Sequence, residues 1–85
     1  MPRTFYNPTA RLVVRPGAPK VPFTITEKNY RNKIWFGFVA YVSVHPEGMS
    51  VSQFRFMARD AARGVKGDMD IDIYIGKGLI DLVDT

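Results

Sequence analysis

The hydrophobic pattern is densest over residues 33–46, where Lys-Ile-Trp-Phe-Gly-Phe-Val-Ala-Tyr-Val-Ser-Val-His-Pro is apolar at nearly every position. Trp35, Phe36, Phe38, Val39, Tyr41, Val42 and Val44 are aromatic or β-branched, the types that suit a pleated, buried surface. At period two, Ile34, Phe36, Phe38, Ala40, Val42 and Val44 fall on one side. Trp35, Gly37, Val39, Tyr41, Ser43 and His45 fall on the other, and both sets are largely apolar. This predicts the central strand of a sheet, covered on both faces or covered on one and used for binding on the other. A membrane span needs about 18 to 20 apolar residues, more than this run offers.

The rest of the chain reads as elements that pack on that run or leave it. Residues 1–9, with Pro2, Asn7 and Pro8 around Phe5 and Tyr6, form an irregular opening. Residues 10–15 alternate loosely, Leu12 and Val14 against Arg11, Val13 and Arg15, and predict a first short strand. Pro16-Gly17 ends it in a turn, because proline cannot donate to a ladder and Pro-Gly favours turn geometry. Residues 21–26, with Phe23, Thr24, Ile25 and Thr26, predict a second strand whose start Pro22 confines to an edge. The polar stretch 27–32 holds Asn29 and Asn32, which tolerate turn geometry, and leads into the central strand.

After His45-Pro46-Glu47-Gly48 a helix is expected from about Val51. Ser50 with Gln53 three residues later makes a capping box. Phe54, Met57, Ala58, Ala61 and Val65 share one arc of the helical wheel, and Gly64 and Gly67 suit its end. Residues 68–75 then show the cleanest alternation in the chain, with Met69, Ile71, Ile73 and Ile75 against Asp68, Asp70, Asp72 and Tyr74. That predicts a half-buried strand, running parallel to the central one through a right-handed crossover if both share a sheet. Gly76-Lys77-Gly78 turns the chain, and residues 79–83 form a last short strand or a single helical turn. The sum is an α+β fold: a single small domain over 1–85, β-β-β-α-β in order, with a mixed, mainly antiparallel sheet and one amphipathic helix packed on one face.

Composition sharpens this picture. Eighty-five residues with 46% hydrophobic and only 24% charged side chains can build one core, with little to spare. There is no cysteine, which removes disulfides, thiolate metal sites and thiol nucleophiles. The start has no secretory pattern, so the expected location is the cytoplasm or the interior of an assembly such as a virus particle. The net charge of +4 is unevenly spread: +6 over residues 1–33, +2 over 34–67 and −4 over 68–85. A basic start and an acidic end point to nucleic acid or an acidic partner, or to two ends that pair with each other or with another copy.

Two basic groups are candidates for binding. On the helix, Arg55, Arg59 and Arg63 recur every four residues with Lys66 in the same stripe, and Phe56 lies beside them, away from the apolar arc. An aromatic among cations suits base stacking with phosphate contact, or a protein interface; the competing reading is a solvated helix face with Phe56 folded under the N-terminal segment. The second group joins Arg11, Arg15, Arg31 and Lys33, with Lys20 and Lys28, to Tyr30 and Trp35. Basic residues mixed with aromatics on a sheet suit single strands. No RNA-recognition motif run is present.

Catalytic and metal chemistry find little support. Asp68, Asp70 and Asp72 fail the calcium-loop template, since the sixth position from Asp68 is Ile73 and the twelfth is Leu79. His45 is the only histidine, with no orienting acid at useful spacing. Neither Gly76-Lys77-Gly78 nor Gly64-Val65-Lys66-Gly67 is a phosphate loop. The expectation is a small binding protein that is not an enzyme and needs no cofactor, metal or membrane. Nucleic acid is the leading partner. The alternative is a protein-interaction module: a compact inhibitor, an adaptor or a structural subunit, alone or as a homo-oligomer.

Overall fold

A computed structural model describes residues 6–25, 30–61 and 67–83, of which 67–70 are described in backbone only. The elements are β1 (Arg11–Val14), α1 (Tyr30–Val44), β2 (Met49–Ser50), α2 (Val51–Ala61), α3 (Gly67–Gly76) and β3 (Ile80–Val83). The three strands form one antiparallel sheet in the order β2-β1-β3. The domain is therefore α+β, with a sheet and helices, but its order is β-α-β-α-α-β and it holds three described helices where one was expected.

The first strand and its turn form as the local chemistry dictates. Leu12 pairs with Met49 on one side and Leu82 on the other, and Arg11 with Ser50 and Val83. Alternation turns Leu12 into the core and Arg11 away from it. Beyond β1 the Ala18 N–H donates to the Arg15 carbonyl at 3.1 Å. Gly17, at φ +88°, takes the third position of this turn, where a left-handed residue is required after Pro16.

The largest correction is the run over 33–46. It is a helix, α1, and β1 is the central strand instead. Helical spacing puts Ile34, Trp35 and Phe38 on one buried face with Tyr41 and Val42 partly covered behind them. The low helix propensity of aromatic and β-branched types costs only a few tenths of a kcal/mol per residue, and burial of that face outweighs it. The central position of the sheet is filled by β1, with β2 and β3 as its neighbours. Pro46 sets the end of α1, because the residue before proline is driven out of the helical region.

The second correction is the expected strand over 68–75, which is helix α3. Ile71 and Tyr74 are buried three positions apart and Asp72 is exposed between them. The parallel crossover therefore does not exist. The helix closes on a glycine cap: Gly78, at φ +76°, donates to the Ile75 carbonyl, and Leu79 donates to that of Tyr74, both at 3.0 Å. These two hydrogen bonds satisfy two of the orphan carbonyls of the last turn.

The expected second strand over 21–26 does not form over its described part, 21–25. Pro22 has no donor, and the Phe23 N–H goes to the Asn32 side chain at 3.1 Å. Residues 15–25 instead make an irregular strap across the N-terminal half of α1. Helix α2 starts where expected, its Gln53 N–H accepted by the Ser50 hydroxyl at 3.2 Å. Of its apolar arc Phe54 and Ala58 are buried and Met57 and Ala61 partly so; Val65 and Gly64 lie outside the described residues, as do residues 1–5 of the N-terminal segment.

Trp35, Phe38, Phe54 and Tyr74 form the centre of the core. The Tyr74 ring stacks on Trp35 at 6.0 Å and meets Phe54 edge-on at 5.7 Å, while Phe38 meets Phe54 edge-on at 5.8 Å. The Tyr74 hydroxyl donates to the Arg31 carbonyl at 2.6 Å, so the ring is buried with its polar end satisfied.

Candidate interaction surface

The strap is held down by three contacts. Asn32, in the first turn of α1 and 6% exposed, clamps Phe23 at both ends of its amide: Oδ1 accepts the Phe23 N–H, and Nδ2 donates to the Phe23 carbonyl at 2.8 Å. Lys77 Nζ donates to the Pro22 carbonyl at 3.1 Å and sits 4.8 Å from the centre of the Phe23 ring. That ring meets Tyr74 edge-on at 5.4 Å. Between the strap and α1 an open groove of about 490 Å³ remains, lined by Val14 at the end of β1, by Ala18 and Val21 on the strap and by Trp35, Phe36 and Val39 on the helix. Lys20 supplies a charge to its wall.

The groove opens onto the outer face of α1. Opposite the buried Ile34, Trp35 and Phe38, the helix presents Phe36, Val39, Ala40 and Val44 to solvent, with Lys33 and Ser43 as the polar positions. Phe36 is 49% exposed and Val44 73%. The Ser43 hydroxyl donates to the Ala40 carbonyl at 2.7 Å, back into its own helix. A helix that is apolar all round belongs inside a larger structure or in a bilayer. No helix among the described residues is long and apolar enough to cross a membrane.

The basic positions singled out from sequence fall on separate surfaces. Arg11 and Arg15 alternate with the inward Leu12 and Val14, on the sheet face turned away from the helices, and Arg15 lies 3.9 Å from Asp81 there. Lys33 is exposed on the outer face of α1. Arg31 is half-buried at the start of α1, its guanidinium 5.3 Å from the Tyr30 ring centre. Trp35 is 2% exposed within the core, which leaves it no open face to stack a base. On α2, Phe56 is 66% exposed and Arg59 exposed beside it, whereas Arg55 is half-buried and engaged within the fold. Arg63, Lys66 and Lys28 lie outside the described residues.

The N-terminus of α2 is closed to anions by the fold itself. The Val51 N–H donates to the Ala10 carbonyl at 3.0 Å, that of Ser52 to Pro8 at 3.2 Å, and that of Gln53 to Ser50. In helix α3 the backbone positions 68, 70 and 72 no longer fall on one side as they would on a strand. Among the described residues no three His, Asp or Glu side chains come together as a metal cluster would need.

Asn32 and the outer face of α1 are the features that sequence reasoning missed as site residues. The signal for the face was present, since a run apolar at both alternating sets is equally apolar around a helix. Its fourteen residues exceed the usual four to eight of a strand. The chain matches no protein-family model, and no curated protein or solved structure is similar to it.

Proposed function

We propose that the chain is a small, non-enzymatic protein-interaction module that docks a polypeptide on the outer face of α1 and in the adjoining groove. The supporting observation is that α1 buries one apolar face in the core and still offers a second, Phe36, Val39, Ala40 and Val44, to solvent. Contiguous exposed apolar surface next to a groove is where protein partners bind. An adaptor in the cytoplasm or a subunit of a larger assembly would use such a face in the same way. The test is a photo-crosslinking side chain placed at Phe36 or Val44, with Ser52 on α2 as the comparison, in cells that make the protein. Polypeptide adducts at Phe36 and Val44 well above those at Ser52 are the expected result; equal yields at all three would end the proposal.

A second reading rests on Phe56, exposed beside Arg59 on α2. There an aromatic ring and a guanidinium would bind single-stranded nucleic acid by stacking and phosphate contact. Anisotropy of a labelled oligonucleotide should then fall steeply with salt and with Arg59→Glu or Phe56→Ala. Salt-independent or unchanged signals would dismiss it.

A further inference from the structure

The surroundings of the α1 face narrow its partner to one chemistry. We infer, resting on the protein-interaction reading above, that the polypeptide docked there is an amphipathic helix whose apolar stripe is bordered by Asp or Glu.

Charge carries this first. The strap over 15–25 and helix α1 together hold Arg15, Lys20, Arg31 and Lys33 and not one Asp or Glu. Lys20 stands in the wall of the groove. At about 100° per residue, Lys33 falls on the other flank of Phe36 from Trp35 and Val39, which line the groove. An exposed lysine therefore stands on each side of the apolar strip. Among the described side chains the carboxylates belong to other elements. Asp60 is on α2, Asp72 on α3 where Tyr6 donates to it, Asp81 on β3 beside Arg15, and Glu47 in the turn after α1, 3.6 Å from His45. Acidic borders on a partner are drawn to this strip and held in register on it, and basic ones are repelled.

Shape carries the rest. The groove is lined by Ala18, Val21, Trp35 and Phe36, an apolar recess of the kind in which anchoring side chains concentrate binding. From Lys33 to Val44 the strip runs about 16 Å along α1, or three turns, enough for anchors at i, i+3 or i+4 and i+7 of a docked helix. The backbone of α1 bonds within itself, so an added strand finds no ladder there to extend.

The test is selection on the purified chain from a phage-displayed library of random peptides of about 16 residues, roughly 24 Å as a helix. Selected peptides are then titrated by fluorescence anisotropy, at low and high salt, against wild type, Lys20→Glu, Lys33→Glu and Phe36→Asp, with the melting temperature of each variant recorded. They should carry apolar residues at helical spacing between Asp or Glu, and become helical on binding by circular dichroism. Affinity should fall with salt, by roughly three- to tenfold with each lysine reversal and by about tenfold or more with Phe36→Asp. Where Phe36→Asp lowers the melting temperature, Val44→Asp, at a position 73% exposed, takes its place. No selected peptide, peptides with basic or uncharged borders, or binding indifferent to both lysine reversals overturns the proposal. So does a chain that selects no peptide but cosediments, through Phe36, with vesicles of phosphatidylcholine and phosphatidylglycerol. Neutral or basic peptides that still need Phe36 remove the acidic borders and leave the protein-interaction reading standing. No selected peptide, together with equal crosslinking at Phe36, Val44 and Ser52, would remove both.

Discussion

Replacing Asn32 by alanine removes the clamp that fixes the strap to α1. Two hydrogen bonds are lost, the Phe23 N–H to Oδ1 and Nδ2 to the Phe23 carbonyl, each contributing about 0.5 to 1.5 kcal/mol. The strap is only partly buried, so water re-satisfies its backbone once it lifts, and alanine is favoured over asparagine in a helix by about 0.6 kcal/mol. The net loss is about 1 to 2 kcal/mol. For a domain of this size that lowers the melting temperature by roughly 5 to 15 °C. Asn32→Asp is at least as costly, because it keeps an acceptor for the Phe23 N–H but turns a second acceptor on the Phe23 carbonyl. The assay is thermal or urea unfolding together with acrylamide quenching of Trp35, the single tryptophan, which lies 2% exposed beside the groove. Asn32→Ala should both melt earlier and quench more readily in the folded state. A variant that melts within about 1 °C of wild type with unchanged quenching would show that the strap is held by Lys77 and Phe23 alone.

Gly48→Ala should be severe, costing about 3 kcal/mol or more, because a Cβ there lies 2.6 Å from the Leu12 carbonyl oxygen at φ +97°; Gly17→Ala, at φ +88° with nothing within 4 Å, should cost only about 1 kcal/mol. Denaturant midpoints of the pair check this, and equal losses would refute the steric part. Tyr74→Phe keeps the ring stack and loses the bond to the Arg31 carbonyl, for about 1 kcal/mol by urea unfolding. Gly76→Ala, in the last turn of α3 with open space around it, should stabilise by about 0.5 to 1 kcal/mol, seen as a higher melting temperature.

The surface depends on the fold in a way that the individual segments do not reveal. Lys33 and Ala40 belong to one exposed face only because the chain there is helical; on a strand they would lie on opposite sides. Trp35 and Tyr74, far apart in the sequence, meet because the fold brings α1 and α3 together at this ring pair. Arg15 and Arg59, both basic and both exposed, end on different layers because one sits on the outer side of the sheet and the other on the outer side of α2.

By itself the sequence determined β1, the Pro16-Gly17 turn and the start of α2 at its Ser50 cap, while it left the C-terminal segment open between a short strand and a helical turn. In the first three the local pattern has one solution: a proline that cannot donate, a glycine that alone tolerates a left-handed φ, a hydroxyl placed to take the first free N–H. Only the tertiary structure decided α1, α3 and the strap. Residues 33–46 are apolar at every period, and residues 68–75 alternate over too short a stretch to exclude two helical turns, so burial could be satisfied by either conformation. What chose between them was burial against the sheet: as helices, the two segments turn Ile34, Trp35 and Phe38 of α1 and Ile71 and Tyr74 of α3 into one core while their backbone hydrogen bonds are satisfied within themselves.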